Sequence, residues 1–272
     1  MKRIIGFLII VFFFTRNTFA QKISQSNVPA VVLNSFQLKF TNAEDVIWKL
    51  EEGTYHIKFE INDKFNELYL DYKGNVLKYH QDLWGSEVPE SVLKTLRSRV
   101  KYFDLNDADF FEEGDEIYYE INFEIEDKDH DFWISEKGKL LKYRKELKDS
   151  EIPKSIVDFI NNKYGTIEID YSKYVEEKGK IIYIIRGQID DNEHVFTVDN
   201  KGYVLKHKED LREDEIPNPI SQSLKKFYKD YDIRDVDMIE KGGKSIYILR
   251  IKKSRKNIYV TFSPEGKLLE EK

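Results

Sequence analysis

Apolar residues follow two rhythms along this chain, a period near four and then a period of two, and the sequence of rhythms recurs. Counting from Pro29, Pro89, Pro153 and Pro217, the third residue is Val32, Val92, Ile156 or Ile220. The seventh is Phe36, Leu96, Ile160 or Leu224, and the eleventh is Phe40, Val100, Tyr164 or Tyr228. Steps of four place all three on one helix face. Each segment therefore predicts an amphipathic helix of about three turns, with its proline expected at the first helical position, where a missing N–H costs nothing.

The period-two stretches follow. Tyr55, Ile57, Phe59 and Ile61 alternate with His56, Lys58 and Glu60, and Tyr119, Ile121, Phe123 and Ile125 alternate with Glu120, Asn122 and Glu124. Such alternation predicts a half-buried strand of an antiparallel sheet. Val46-Ile47-Trp48, Phe110-Phe111, Tyr174-Val175 and Met238-Ile239 precede these stretches, each ahead of a turn at Gly53, Gly114, Gly179 or Gly242-Gly243, and predict a first strand and hairpin. A third strand points Leu68/Leu70, Phe132/Ile134, Phe196/Val198 and Val260/Phe262 inward. Glycines 74, 138, 202 and 266, a constant step of 64, then mark a tight reversal into a fourth strand such as Val76-Leu77. Short hairpin loops place a residue at positive φ, which glycine tolerates.

The fold expected is α+β: four tandem repeats, each one helix followed by a four-stranded antiparallel sheet. The boundaries are 28–87, 88–151, 152–215 and 216–272, after a flexible N-terminus at 21–27. A unit of about 60 residues is marginal alone, so the repeats are expected to pack as two double units. The charged links at 82–87, 146–151 and 210–215 are too short for beads on a tether. The first repeat has a shorter helix-to-strand connection than the others, as a terminal repeat often does.

Residues 1–20 read as a secretory signal: Lys2 and Arg3, an apolar run over 4–14, and Thr18-Phe19-Ala20 before Gln21. The run is too short to span a membrane. Removing the signal takes away three positive charges and no acid, so the formal charge goes from −6 to −9. An acidic chain is a poor partner for a phosphate backbone, and no nucleic-acid role is expected. With no cysteine there is no disulfide, thiol chemistry or lipid-anchor acceptor.

The Val88-Pro89 and Ile152-Pro153 helix starts, the helix triads, Ala43 with Val46-x-Trp48, the Tyr55-x-Ile57-x-Phe59 strand, and the D-x-x-G turn continued by Val-Leu-Lys together resemble the PepSY-like family with β-lactamase-inhibitor-protein-like architecture. The resemblance covers residues 28–272 and rests on scaffold features. It implies a periplasmic or secreted location and a protein-binding or inhibitor-like role, and it carries no inhibitor contact over to a residue of this chain.

Catalytic chemistry finds little support. His56, His80, His130, His194 and His207 are scattered with no i, i+4 pair, so no metal site is expected. Asp127-Lys128-Asp129-His130-Asp131 imitates the start of a calcium loop, but Phe132 stands where the loop needs glycine. No phosphate loop or nucleophile elbow occurs, so no enzyme activity and no cofactor are expected. The outward strand positions are more informative. Tyr69, Trp133 and Tyr259 on third strands, with Arg186 and Arg250 on second strands, are of the types enriched at protein-binding hot spots. The competing reading packs them against a neighbouring repeat. The function expected is a non-catalytic exported protein binding another envelope or secreted protein through open sheet faces and hairpin loops. The alternative is a binder of a small amphipathic ligand between paired sheets.

Overall fold

The structure, a computed structural model, describes residues 21–272 apart from Asn106. The signal reading of residues 1–20 lies outside the described residues. Among the described residues the chain is a mixed fold of four α-helices and seventeen antiparallel strands. β1 (Gln21–Ile23) precedes α1 (Ala30–Lys39), β2 (Glu44–Glu51), β3 (Thr54–Ile61), β4 (Lys64–Leu70) and β5 (Val76–Trp84). Next come α2 (Glu90–Arg99), β6 (Asp107–Glu113), β7 (Glu116–Ile125), β8 (Lys128–Ser135) and β9 (Leu140–Glu146). α3 (Lys154–Tyr164) leads into β10 (Glu168–Glu177), β11 (Lys180–Ile189), β12 (Asn192–Asp199) and β13 (Val204–Asp210). The chain ends with α4 (Asn218–Phe227), β14 (Tyr231–Lys241), β15 (Lys244–Lys253), β16 (Lys256–Phe262) and β17 (Leu268–Glu271). No helix among the described residues is long and apolar enough to cross a membrane.

Two compact units result. One holds the described residues up to Glu87 with Asp109–Tyr118, and the other holds Val88–Ala108 with Tyr119–Lys272. The division does not fall at residue 152, where the two expected double units would have met. β9 and β10 flank that position and pair antiparallel within the second unit, Lys173 opposite Glu146 through Glu177 opposite Lys142. Backbone pairing across the boundary outweighs the helix that begins there.

In the first unit, α1 lays Val32 and Phe36 on the inward residues of β2 to β4: Trp48, Ile57, Phe59, Leu68 and Leu70. Phe36 meets Trp48 and Phe59 edge-on, with ring centroids 5.2 and 5.0 Å apart. Burying each such side chain contributes about 2–3 kcal/mol. Residues 21–27, expected to be flexible, include β1, which pairs Gln21–Ile23 with Leu50, Lys49 and Trp48. Ile23 packs on the core beside that ladder, so an apolar anchor and backbone pairing override the polar composition of the segment.

The second unit repeats this arrangement. α3 sets Ile156 and Ile160 against Ile185, Phe196 and Val198, and α4 sets Ile220 and Leu224 against Leu249, Val260 and Phe262. The prolines sit one residue earlier than expected. Pro29, Pro89, Pro153 and Pro217 are N-caps with extended ψ, and the Pro29 carbonyl accepts from the N–H groups of Val32 and Leu33 at 3.0 Å each. The charged links act as caps too: the carboxylates of Glu87, Glu151 and Glu215 accept the N–H of Trp84, Lys148 and Arg212, at 2.8, 2.9 and 2.8 Å.

The glycine turns do more than permit a left-handed backbone. A Cβ on Gly138 would stand 2.6 Å from the Ser91 carbonyl oxygen, and one on Gly266 would stand 2.3 Å from that of Pro219. Thr95 and Ser223 donate their hydroxyls to the carbonyls of these glycines, each at 2.6 Å, so each turn docks onto the first turns of a helix. Gly202, by contrast, has open space at its Cβ. Gly202→Ala should therefore cost only the left-handed penalty, about 1–2 kcal/mol, and Gly138→Ala and Gly266→Ala clearly more. Urea unfolding of the three variants checks this, and equal losses would reduce all three glycines to turn formers.

Candidate functional site

Alternation sends every second side chain of β3, β4 and β5 away from α1. On that face of the first unit, His56 and Tyr69 are ladder partners and stack at 4.4 Å with 6° between planes. The His56 Nε2 contacts Glu67 Oε1 at 2.6 Å, and Lys58 Nζ reaches the same oxygen at 3.1 Å. Burial alone would raise the Glu67 carboxyl, but the hydrogen bonds and charges of His56 and Lys58 hold it below the ordinary carboxylate range. Farther along, His80 stacks on Phe111 at 4.6 Å and Phe111 on Tyr118 at 5.0 Å. Lys78 lies over Phe111 at 5.3 Å and pairs with Glu113 at 2.6 Å. His80 Nε2 stands 2.7 Å from Asp109 Oδ1 and 3.5 Å from Asp82 Oδ1. Burial works to lower the His80 pKa, and the Asp109 bond and charge outweigh it, so the net shift is upward. A hollow of about 320 Å³ beside this face is lined by Glu51, Glu52, Thr54, His56 and Tyr69.

The corresponding face of the second unit carries the other four anticipated residues. Trp133 is half-buried between two cations, with Lys142 Nζ 4.6 Å and the Arg144 guanidinium 5.3 Å from its ring. Arg144 is itself held by Asp131 at 2.5 Å. Arg186 is exposed, 5.5 Å over the Tyr171 ring. Arg250 pairs with Asp235 at 3.5 Å and faces Tyr259 across the ladder, and Tyr259 is half exposed. The structure brings Arg250 and Tyr259 together, while Trp133 and Arg186 stand on the separate strands β8 and β11. Sequence reasoning passes over His80, Phe111, Tyr118 and Tyr171 as residues of these faces, and it places His56 only as a polar alternate, where the structure buries it beneath Tyr69. Their signal is the same alternation that identifies Tyr69.

The scattered histidines fall into groups. Core positions 66 and 79, on paired strands, hold Asn66 and Tyr79, with the Tyr79 hydroxyl donating to Asn66 Oδ1 at 2.7 Å. One period on, His130 Nδ1 and the Tyr143 hydroxyl are 2.9 Å apart. One further, His194 Nδ1 and His207 Nε2 are 2.9 Å apart, with the two imidazoles nearly parallel and the Phe196 ring stacked on His207 at 4.4 Å. Burial, reinforced by the neighbouring His194, lowers His207 to about 4, and burial likewise lowers His194.

Two groups among the described residues have ligand atoms close enough to hold a metal ion: His194 with His207 and Glu209, and His80 with Asp82 and Asp109. In each, the shortest contact is a hydrogen bond, 2.9 Å between the His194 and His207 nitrogens and 2.7 Å between His80 Nε2 and Asp109 Oδ1. Two nitrogens on one tetrahedral ion stand about 3.3 Å apart.

A family profile described as "Putative beta-lactamase-inhibitor-like, PepSY-like" matches residues 16–78 and 190–270. Among solved structures, the chain is similar to a BLIP-like protein from Bacteroides fragilis at 22% identity, covering 44% of this chain and 84% of that one, with a TM-score of 0.35. It is also similar to a DUF2874 family protein from Bacteroides ovatus, at 19% identity, 43% and 86% coverage and a TM-score of 0.36. A third, described as a "putative periplasmic protein" from Bacteroides eggerthii, is 13% identical, with 43% and 88% coverage and a TM-score of 0.36. No curated protein matches. The family match spans more than half of the chain and includes the triad of α1, the Tyr55 strand and the glycine turns at 74, 202 and 266, and the chain therefore belongs to the PepSY-like, β-lactamase-inhibitor-like family.

Proposed function

We propose that this chain is an exported, non-catalytic binding protein that engages another envelope or secreted protein through the sheet faces turned away from its helices and through the adjoining hairpin loops. The observation that carries the reading is the composition of those faces. Aromatic rings held by stacking or by flanking cations, such as Tyr69 on His56 and Trp133 between Lys142 and Arg144, are rigid amphipathic anchors that lose little entropy on binding. Family membership supports an inhibitor-like role, and the signal reading supports a periplasmic or secreted location. The two-part family match and the recurring order of one helix and four strands support four repeats with the boundaries 28–87, 88–151, 152–215 and 216–272.

The test is quantitative. Once a partner is purified, Trp133→Ala, Arg250→Ala and Tyr259→Ala are each measured by calorimetry. At least one should weaken binding by about 2 kcal/mol, roughly thirtyfold. Leu38→Ala, on a helix surface that is 84% exposed, should have no effect. Uniform indifference of the three face variants would refute the reading.

A further inference from the structure

We infer that His80, Asp82 and Asp109 form a binding site for a divalent transition-metal ion of the zinc class on the outward sheet face of the first unit. The inference does not depend on protein binding, and its test reads metal alone.

The distances suit such an ion. One imidazole nitrogen, His80 Nε2, faces two carboxylate oxygens at 2.7 and 3.5 Å. Ligands on a tetrahedral ion at about 2.0–2.2 Å stand about 3.3–3.6 Å apart. The 3.5 Å separation falls in that range, while the 2.7 Å contact is a hydrogen bond whose proton the ion would replace, with Asp109 drawing back by under about 1 Å. His80 and Asp82 are two apart on β5, which puts them on one sheet face, and Asp109 comes from β6. The His80 ring is fixed by its stack on Phe111 and by the edge of Phe65, 6.0 Å away. Ring orientation is thus set by packing before any ion arrives, as a metal ligand requires. The Asp82 and Asp109 side chains are 49% and 35% exposed, so an ion has a path in and water can complete its shell.

The other unit provides an internal comparison. Two 64-residue periods on, the same three positions are Lys208, Asp210 and Asp237. Lys208 Nζ lies 2.7 Å from Asp210 Oδ1 and 3.0 Å from Asp237 Oδ1. The scaffold there builds a two-carboxylate slot and fills it with a tethered ammonium. In the first unit the tethered ammonium is replaced by an imidazole hydrogen-bonded to Asp109, which a metal ion would hold in its neutral form by releasing the shared proton. A divalent cation balances that set: one neutral nitrogen and two carboxylates sum to −2. The nitrogen donor favours zinc and its neighbours over magnesium or calcium, which take all-oxygen shells.

The experiment titrates the purified chain with Zn²⁺ by calorimetry and with Co²⁺ by visible absorption. The expected result is one equivalent bound in the parent, with affinity reduced at least about tenfold in Asp109→Asn and in His80→Lys. His80→Lys reproduces the charge pattern of the second unit, so it should fold normally, which circular dichroism checks. His207→Tyr removes a ligand atom from the other histidine group and should leave the metal affinity unchanged. Absence of binding in the parent overturns the inference. So does binding that survives both first-unit variants, or binding lost in His207→Tyr.

Discussion

His207→Tyr is expected to reduce the acid sensitivity of the second unit by about 2 kcal/mol at pH 4.5. The imidazole of His207 is buried against Phe196 and Tyr164, with ring centroids 4.4 and 4.5 Å away. Its Nδ1 makes no hydrogen bond. The charged and titratable groups around the pair are His194 at 2.9 Å from His207, Glu240 at 3.9 Å from His207, Glu209 at 3.9 Å from His194, Asp190, Asp210 and Glu215, whose charges act on His194, and Lys163, which bonds Tyr164 and Glu240. Loss of solvation dominates, then the positive charge of a protonated His194, and the pull of Glu240 does not compensate. The folded pKa of about 4 lies below the ordinary 6.5, so as pH falls the unfolded chain takes up a proton first. Stability is therefore whole above about pH 6.5 and is lost progressively down to about pH 4, by roughly 3 kcal/mol in all.

Tyrosine already stands at the equivalent positions 79 and 143, and Tyr143 bonds His130 as a tyrosine introduced at position 207 would bond His194. The variant should match the parent within about 1 kcal/mol at pH 7.5 and exceed it by roughly 2 kcal/mol at pH 4.5. Urea midpoints at both pH values, with hydrogen exchange read in β12 and β13, decide it. An equal acid slope in parent and variant would show that other groups set the sensitivity.

Phe196→Ala should be more damaging at neutral pH. The ring is fully buried, lies against His207 and Tyr164, and sits in the cluster formed by Ile156 and Ile160 of α3. Truncating it removes apolar burial and leaves a cavity that the flat imidazoles beside it fill poorly, at a cost of about 3–5 kcal/mol. A coupled effect follows. Water admitted to the cavity restores solvation to His207, so the acid slope of Phe196→Ala should be shallower than that of the parent, and the double variant with His207→Tyr should be non-additive. Equilibrium unfolding of the four proteins in a cycle measures both. A loss below about 1 kcal/mol would mean that the core collapses around the gap.

Much of this architecture was readable from residue spacing because it depends on local rules. Steps of four found Val32 and Phe36, and alternation assigned Tyr69, Trp133 and Tyr259 to the outward face. The D-x-x-G turn was legible for a chemical reason: Asp71 Oδ1 accepts the N–H groups of Lys73 and Asn75, and Asp199 repeats the bond pattern with Lys201 and Tyr203. What remained hidden depends on register between strands. His80 and Asp109 meet although α2 lies between them in sequence, and His194 meets His207 only because the hairpin has the length it has. The shielding of Trp133 by Lys142 likewise requires knowing that the two are ladder partners. The helix contacts of Gly138 and Gly266 are tertiary and have no mark in the sequence beyond the glycine. Division of the chain inside 88–151 also escaped, since periodicity describes each repeat and is silent on which ladders bind repeats together.

Whether the outward sheet faces are the binding surface is tested most directly by site-specific photocrosslinking in the producing cell. A crosslinkable residue is placed in turn at Tyr69, Trp133, Arg186 and Tyr259 on those faces, and at Leu38 and Phe159 on exposed helix surfaces. One discrete adduct with the same protein is expected from face positions and none from the helix positions. Adducts confined to Leu38 and Phe159, or distributed equally over all six sites, would contradict a binding role for the faces.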